Sequence, residues 1–175
     1  MSRAVRFAPL ALLLLIVAAL IWRLATPADT DVHSALEGKA VPAFALPAVL
    51  PTKPGLSAAE LADGQPHLVN VFASWCVPCV TEVKVLGALK ESGARVEGIA
   101  VRDRREDLLD FLARNGDPYE RIGSDPQSKV QISLGSSGVP ESFIVDGKGV
   151  IRYQHIGPIE RSDVPMILSR LEQAR

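Results

Sequence analysis

Two cysteines in 175 residues leave little room for sulfur-based architecture. They are too few to staple a mini-fold, to complete a four-cysteine iron–sulfur centre or to build an all-cysteine zinc site. The 3 histidines, His33, His67 and His155, are scattered, so no second ligand pair for zinc is in sight and no metal is expected. Neither sign of charge is in excess: 19 Lys and Arg meet 20 Asp and Glu, for a net charge of −1. Without a basic surplus to neutralise phosphates, nucleic acid is not an expected partner. What is abundant is apolar: 47% hydrophobic residues against 22% charged exclude a disordered chain and leave enough for one core.

The amino terminus carries the longest uncharged run. Arg3 and Arg6 precede FAPLALLLLIVAALIW over 7–22, and the next charge is Arg23. As a helix these residues span roughly 24 Å, short of a hydrocarbon core of about 30 Å, but flanking arginines can snorkel and Trp22 can sit at the interface. A cleaved signal would need small residues before the cut, and Thr26-Pro27-Ala28 is a poor site, so an uncleaved signal-anchor over 7–24 is expected. The run is apolar all round, unlike an amphipathic helix of a globular core. With the basic flank inside, 1–6 is cytoplasmic and the rest lies across the membrane. Residues 25–37 read as a tether.

The remaining 38–175 read as one domain without repeats. Prolines 42, 47, 51, 54 and 66 make 38–66 a set of short extended pieces and turns, with one helical turn over 57–63. Strands are expected over 67–73 and 95–101. Helices are expected over 79–91, where the apolar Val80, Val83, Leu86 and Leu89 recur at roughly helical spacing, and over 104–115, with Leu108, Leu109, Phe111 and Leu112 inward. Two further strands, 142–145 and 150–155, flank the hairpin signal Asp146-Gly147-Lys148-Gly149. A closing amphipathic helix covers 161–174, with Pro165 tolerated near its start. This order gives an α/β domain, a mixed central sheet with helices on both faces. The charge run over 102–107 reads as a solvated loop and helix start, and the histidines as structural.

The two cysteines lie three apart in Trp75-Cys76-Val77-Pro78-Cys79, between an expected strand and an expected helix. A thiolate at a helix amino terminus faces unpaired N–H groups and the positive end of the helix dipole. Both favour the ionised form that thiol–disulfide exchange requires. Cys76 is therefore the expected nucleophile and Cys79, almost one turn on, the resolving residue. Pro78 lies early in the helix, where its missing N–H costs little. A purely structural disulfide across so small a loop would remove little unfolded-chain entropy, and covalent haem attachment would need histidine where Val80 stands.

Three blocks carry a resemblance. They are Gly38-Lys39 with 41–47 (VPAFALP), the segment 69–79 (VNVFASWCVPC), and 138–146 (GVPESFIVD) running into Gly149-Val150-Ile151-Arg152-Tyr153 and Gly157. Over about 38–170 the chain resembles the membrane-tethered thioredoxin-like proteins of the DsbE/CcmG type, which act in bacterial cytochrome c maturation. The resemblance implies a thioredoxin-like fold and a protein-disulfide reductase needing no cofactor. It implies a single-pass protein of the inner membrane with its catalytic domain in the periplasm. It also implies that Pro140 is a cis-proline placing the Val139 backbone where a substrate strand can pair, and that Trp75 faces partners. Thioredoxins carry an aspartate six residues before the first cysteine; here that position is Asn70, and the resemblance points instead to nearby acids. Glu82, three after Cys79, and Glu141, next to Pro140, are the candidates to accept the Cys79 proton.

The implied substrate is the CxxCH disulfide of apocytochrome c, with re-reduction by a membrane electron donor of the DsbD/CcdA type. Two other functions fit the same residues: reduction of another periplasmic protein, such as one assembling a copper site, and a non-catalytic module that binds apocytochrome or haem.

Overall fold

In a computed structural model, residues 3–25 and 36–175 are described, with side chains for Leu10 and residues 12–23 of the first segment. The chain divides into two units, Met1–Val32 and His33–Arg175. The first holds helix α1, Arg3–Ala25. Among the described residues no helix is long and apolar enough to cross a membrane, so the anchor expected over 7–24 is not shown. The poor cleavage site at 26–28 and most of the tether lie outside the described residues.

The second unit is built on a five-stranded sheet of order β5-β4-β3-β6-β7. Its centre is β3, His67–Phe72, every residue of which is buried. Parallel to β3 runs β4, Val96–Val101, and parallel to that β5, Ile122–Asp125. On the other side β6, Glu141–Val145, is antiparallel to β3, and β7, Ile151–Ile156, antiparallel to β6. A two-stranded ribbon precedes them, β1 (Ala45–Leu46) with β2 (Leu56–Ser57). The sheet is mixed, as the order of elements predicts.

Strand periodicity sorts the core into two layers. Leu68, Phe72, Val96, Ala100 and Ile144 pack with α2 (Val77–Glu91), α3 (Arg105–Asn115) and α5 (Val164–Gln173). Val69, Val71, Ile99, Val101, Phe143 and Val145 face the opposite layer, where the five-residue α4, Lys129–Ser133, supplies Val130. Leu56, Leu61 and the partly buried Leu36, Val41, Phe44 and Leu46 complete that cover. Helices thus lie on both faces, but unequally.

Three expectations need correction, and the apolar spacing over 79–91 needs refining. Val80 is exposed, and the inward face of α2 carries Cys79, Glu82, Val83, Val85, Leu86 and Leu89. Leu109 is likewise exposed, while Leu108, Phe111 and Leu112 face inward. The turn expected over 57–63 begins as β2 and continues as two i→i+3 turns, Glu60 N–H to Ser57 O and Ala62 N–H to Ala59 O. Asp103 is no solvated charge: its carboxylate accepts both the N–H (2.8 Å) and the hydroxyl of Ser74.

Gly98 on β4 stands beside Asn70 on β3, and a Cβ there would lie 2.9 Å from the Phe72 ring and 3.0 Å from the Tyr119 ring. At the His67 end of β3, buried His67 lies between Glu97 Oε1 (3.2 Å, to Nδ1) and Asp63 Oδ1 (3.1 Å, to Nε2). Arg95 holds Asp63 at 2.5 Å, and Arg152 holds the hairpin residue Asp146 at 2.7 Å. Asp146 Oδ1 also accepts the N–H groups of Lys148 and Val150, closing the expected β6–β7 hairpin.

Candidate active site

At the other end of β3 the chain leaves Phe72 and turns through Ala73–Trp75 into α2. Cys76 is the N-cap, in extended backbone conformation, and its Sγ accepts the Cys79 N–H at 3.3 Å. Pro78 occupies the first turn. The two cysteines are disulfide-bonded, with Cα atoms 5.3 Å apart. The two differ in burial: Cys79 is wholly buried, whereas Cys76 keeps 5% of its surface. Trp75 and Val77 beside them are exposed, at 58% and 79%.

The approach to Cys76 is held from two sides. Asp103, on the loop after β4, grips Ser74 through its N–H and hydroxyl and so fixes the segment that carries Trp75. Burial pushes the Asp103 carboxyl up, against the two Ser74 hydrogen bonds. Across a groove of about 470 Å³ lie Val139 and Gly138, with Trp75, Arg102, Gln131 and Ile132 also lining it. The Val139–Pro140 peptide is cis, with Pro140 buried and Val139 half-buried.

Beneath the pair is a buried polar cluster. Glu82, one turn past Cys79 on α2, is 1% exposed. Its Oε1 accepts the Ile159 N–H (3.0 Å) and its Oε2 the Asn70 Nδ2 (3.1 Å). Burial pushes its carboxyl from the ordinary 4.5 up to about 7, the two hydrogen bonds only partly opposing it. Asn70 also donates to Ser142 Oγ (3.0 Å), and its Oδ1 accepts the Tyr119 hydroxyl (2.9 Å). Glu141, equally buried, turns elsewhere: it accepts Ser137 N–H and Oγ (2.9 and 2.5 Å) and Gln154 Nε2 (2.9 Å). The structure therefore brings Trp75 and Val139 to one groove and Glu82 to the cysteine face of α2, and sets Glu141 to holding the 137–140 turn. Among the described residues no group of three or more His, Cys, Asp and Glu is arranged to hold a metal.

Relatives fit this geometry. The sequence profile of the Redoxin family matches residues 36–171. The thiol:disulfide interchange protein DsbE of Escherichia coli K12 is 39% identical over 165 residues, covering 91% of this chain and 88% of its own. The chain belongs to the DsbE family. The thiol:disulfide interchange protein HelX of Rhodobacter capsulatus is 41% identical over 126 residues, covering 72% of this chain and 71% of its own. The thioredoxin-like fold of this DsbE-family chain is shared with a thiol:disulfide interchange protein from Chlorobium tepidum TLS. That structure matches at 24% identity and a TM-score of 0.61 over 77% of this chain and 94% of that one. A secreted thiol-disulfide isomerase from Corynebacterium glutamicum matches at 23% and 0.62, over 75% and 85%. The activity is thiol:disulfide interchange, and the chain is an oxidoreductase.

Two of the site's polar residues carry no mark in the sequence. Tyr119 sits in the motif-free segment between α3 and β5, and Ser142 lies inside the 138–146 block with nothing to distinguish it. The signal for Ser142 is register, since it pairs with Asn70 across β3 and β6. Gly98, the neighbour of Asn70 on β4, is the signal for a bulky side chain crossing there.

Proposed function

We propose that this chain is a membrane-anchored periplasmic reductase whose substrate is the CxxCH disulfide of apocytochrome c. The observation that carries a reductive exchange cycle is the cysteine pair itself: a slightly open Cys76 capping α2, a closed Cys79 behind it and an acid on the same helix face. The Cys76 thiolate attacks one sulfur of the substrate disulfide and forms a mixed disulfide, releasing the other sulfur as a thiolate. Cys79 then attacks the Cys76 sulfur, so the substrate leaves as a dithiol, reduced by two electrons, and Cys76–Cys79 becomes the disulfide. Glu82 takes the Cys79 proton as that thiol becomes a nucleophile. Glu141 keeps the turn before the cis-proline in place, so that Val139 can pair with an extended substrate segment in the groove beside Trp75.

A membrane donor of the DsbD/CcdA type returns the pair to the dithiol. The uncharged run over 7–22 supports anchoring, as do the exposed apolar side chains of α1, Leu12, Leu15 and Trp22 among them. The charge balance around that run supports a periplasmic catalytic domain. The identity of the substrate rests on the three sequence blocks shared with the DsbE/CcmG type.

The test is trapping in cells with Cys79→Ala, which stalls the cycle at the mixed disulfide. An adduct with apocytochrome c is expected in the membrane fraction, and replacing residues 1–25 by a cleavable export signal is expected to move it to the soluble periplasmic fraction. Capture of a copper-site assembly protein instead would replace the substrate, and no adduct at all would leave only a passive binding module.

A further inference from the structure

Tyr119 belongs to none of the motifs that surround the cysteines, yet it reaches the middle of the site. It is completely buried, and its ring stacks on Phe72 with centroids 4.4 Å apart and planes 19° from parallel. The absent side chain of Gly98 leaves the space for both rings. Its hydroxyl ends 2.9 Å from Asn70 Oδ1. A carboxamide has one acceptor atom and two N–H donors on opposite sides. With Oδ1 engaged by Tyr119, both donors point the other way, one to Glu82 Oε2 and one to Ser142 Oγ. Rotating the amide by half a turn would put its carbonyl oxygen against the carboxylate, an arrangement only a protonated Glu82 could satisfy.

We propose that Tyr119 is a positioning residue for proton exchange at Cys79: by donating to Asn70 it fixes the amide so that an N–H, not the carbonyl oxygen, faces the Glu82 carboxylate. The inference rests on Glu82 being the acceptor of the Cys79 proton. The groups bonded to Glu82 are Asn70 from β3 and the Ile159 N–H from the segment before α5, and Cys79 lies three residues before it on the same buried face of α2. Beyond Asn70 stand Ser142 and its neighbour Glu141 on β6. Behind Tyr119 are the charges of Asp117 and Asp103, with Lys53 paired to Asp117 at 2.8 Å and donating to the Tyr119 carbonyl. Burial first, then the charges of Glu82, Asp117 and Asp103, push the Tyr119 phenol well above its ordinary value, so it remains a donor throughout the working range.

The experiment measures the oxidation rate of the reduced chain by glutathione disulfide as a function of pH, in wild type, Tyr119→Phe, Ser142→Ala and Glu82→Gln. Tyr119→Phe removes one oxygen and keeps the stack, and the rate midpoint is expected to move up by about one pH unit. Ser142→Ala frees the second amide donor and is expected to move it the same way by less; it carries the test if Tyr119→Phe does not fold. A merely structural Tyr119 would lower the thermal midpoint and leave the pH midpoint in place. A pH midpoint unmoved in the folded Tyr119 and Ser142 variants, with Glu82→Gln still altering the profile, overturns the inference alone. A profile that Glu82→Gln leaves unchanged removes the acceptor itself, and the inference falls with it.

Discussion

The two ends of strand β3 use the same residue types for opposite purposes. At the His67 end, acids meet cations: Asp63 with Arg95, and Asp146 with Arg152. The Arg95 guanidinium beside Asp63 holds its carboxyl well below the usual range, with burial opposing. Burial also raises Asp146, but the Val150 N–H, Arg152 and the Lys148 N–H outweigh it and bring the group down. At the cysteine end, Glu82 faces an amide and one backbone N–H, and burial carries it up to about 7. Cationic partners and several N–H donors keep Asp63 and Asp146 ionised near neutrality, whereas burial with only two neutral donors leaves Glu82 able to exchange a proton there. Stability and reactivity are thus separated along the six residues of one strand.

The largest effect that would test this separation is at the cysteine end. Cys76→Ser should abolish exchange with a disulfide substrate while far-ultraviolet circular dichroism keeps the native spectrum, because so small a loop adds little to stability. An unfolded variant would move the cysteines to the structural side of the comparison. The converse holds for Glu97, whose two oxygens meet the His67 ring and the Arg121 N–H. Glu97→Ala should cost about 3 kcal/mol in denaturant unfolding and leave the exchange rate of the folded protein unchanged.

The sign of the pH response distinguishes the ends more sharply. The native state holds the Glu82 proton to higher pH than the unfolded chain does. The stability this gives is present below 4.5 and is lost as pH rises to about 7, by up to about 3 kcal/mol. Glu82→Gln should flatten that fall in unfolding measurements across the interval. Asp63 and Asp146 act with the opposite sign. Their contributions are present above the ordinary aspartate value of 3.8 and disappear as pH falls below it. Asp146→Asn should cost about 1 kcal/mol at neutral pH and weaken the acid-induced loss. Smallest is Arg95→Ala, which removes a partly exposed pair and should cost at most about 1 kcal/mol, diminishing with added salt.

Much of this was legible beforehand, and the failures have physical causes. The long buried strands β3 and β4 declare themselves through continuous apolar runs, and Asp146 with its glycines marks the hairpin. The Trp75–Cys79 segment announces its place between strand and helix. Short β5 does not, because Ile122-Gly123-Ser124-Asp125 owes its pairing to β4 rather than to its own residues. Helix periodicity fails at α2, where Glu82 takes an inward position that an apolar count assigns to Val80. A buried acid breaks the pattern because it is held by Asn70 and Ile159, which are 12 and 77 residues away. Asp103 misleads for the same reason: its partner Ser74 lies 29 residues earlier. Glutamates 82 and 141 look alike in sequence, and only their distinct sets of donors tell them apart.

Gly98 gives the site a dependence that no list of reactive groups would contain. It is a notch in the sheet, and through it an aromatic ring from the far edge touches the amide under the cysteines. Filling the notch with even a methyl group would press on two stacked rings at once, and the disturbance would arrive at Glu82 as altered acidity rather than as a missing ligand. Selection on proton handling can therefore act at a residue with no functional group, and an engineer wishing to retune this protein could begin there without touching either sulfur.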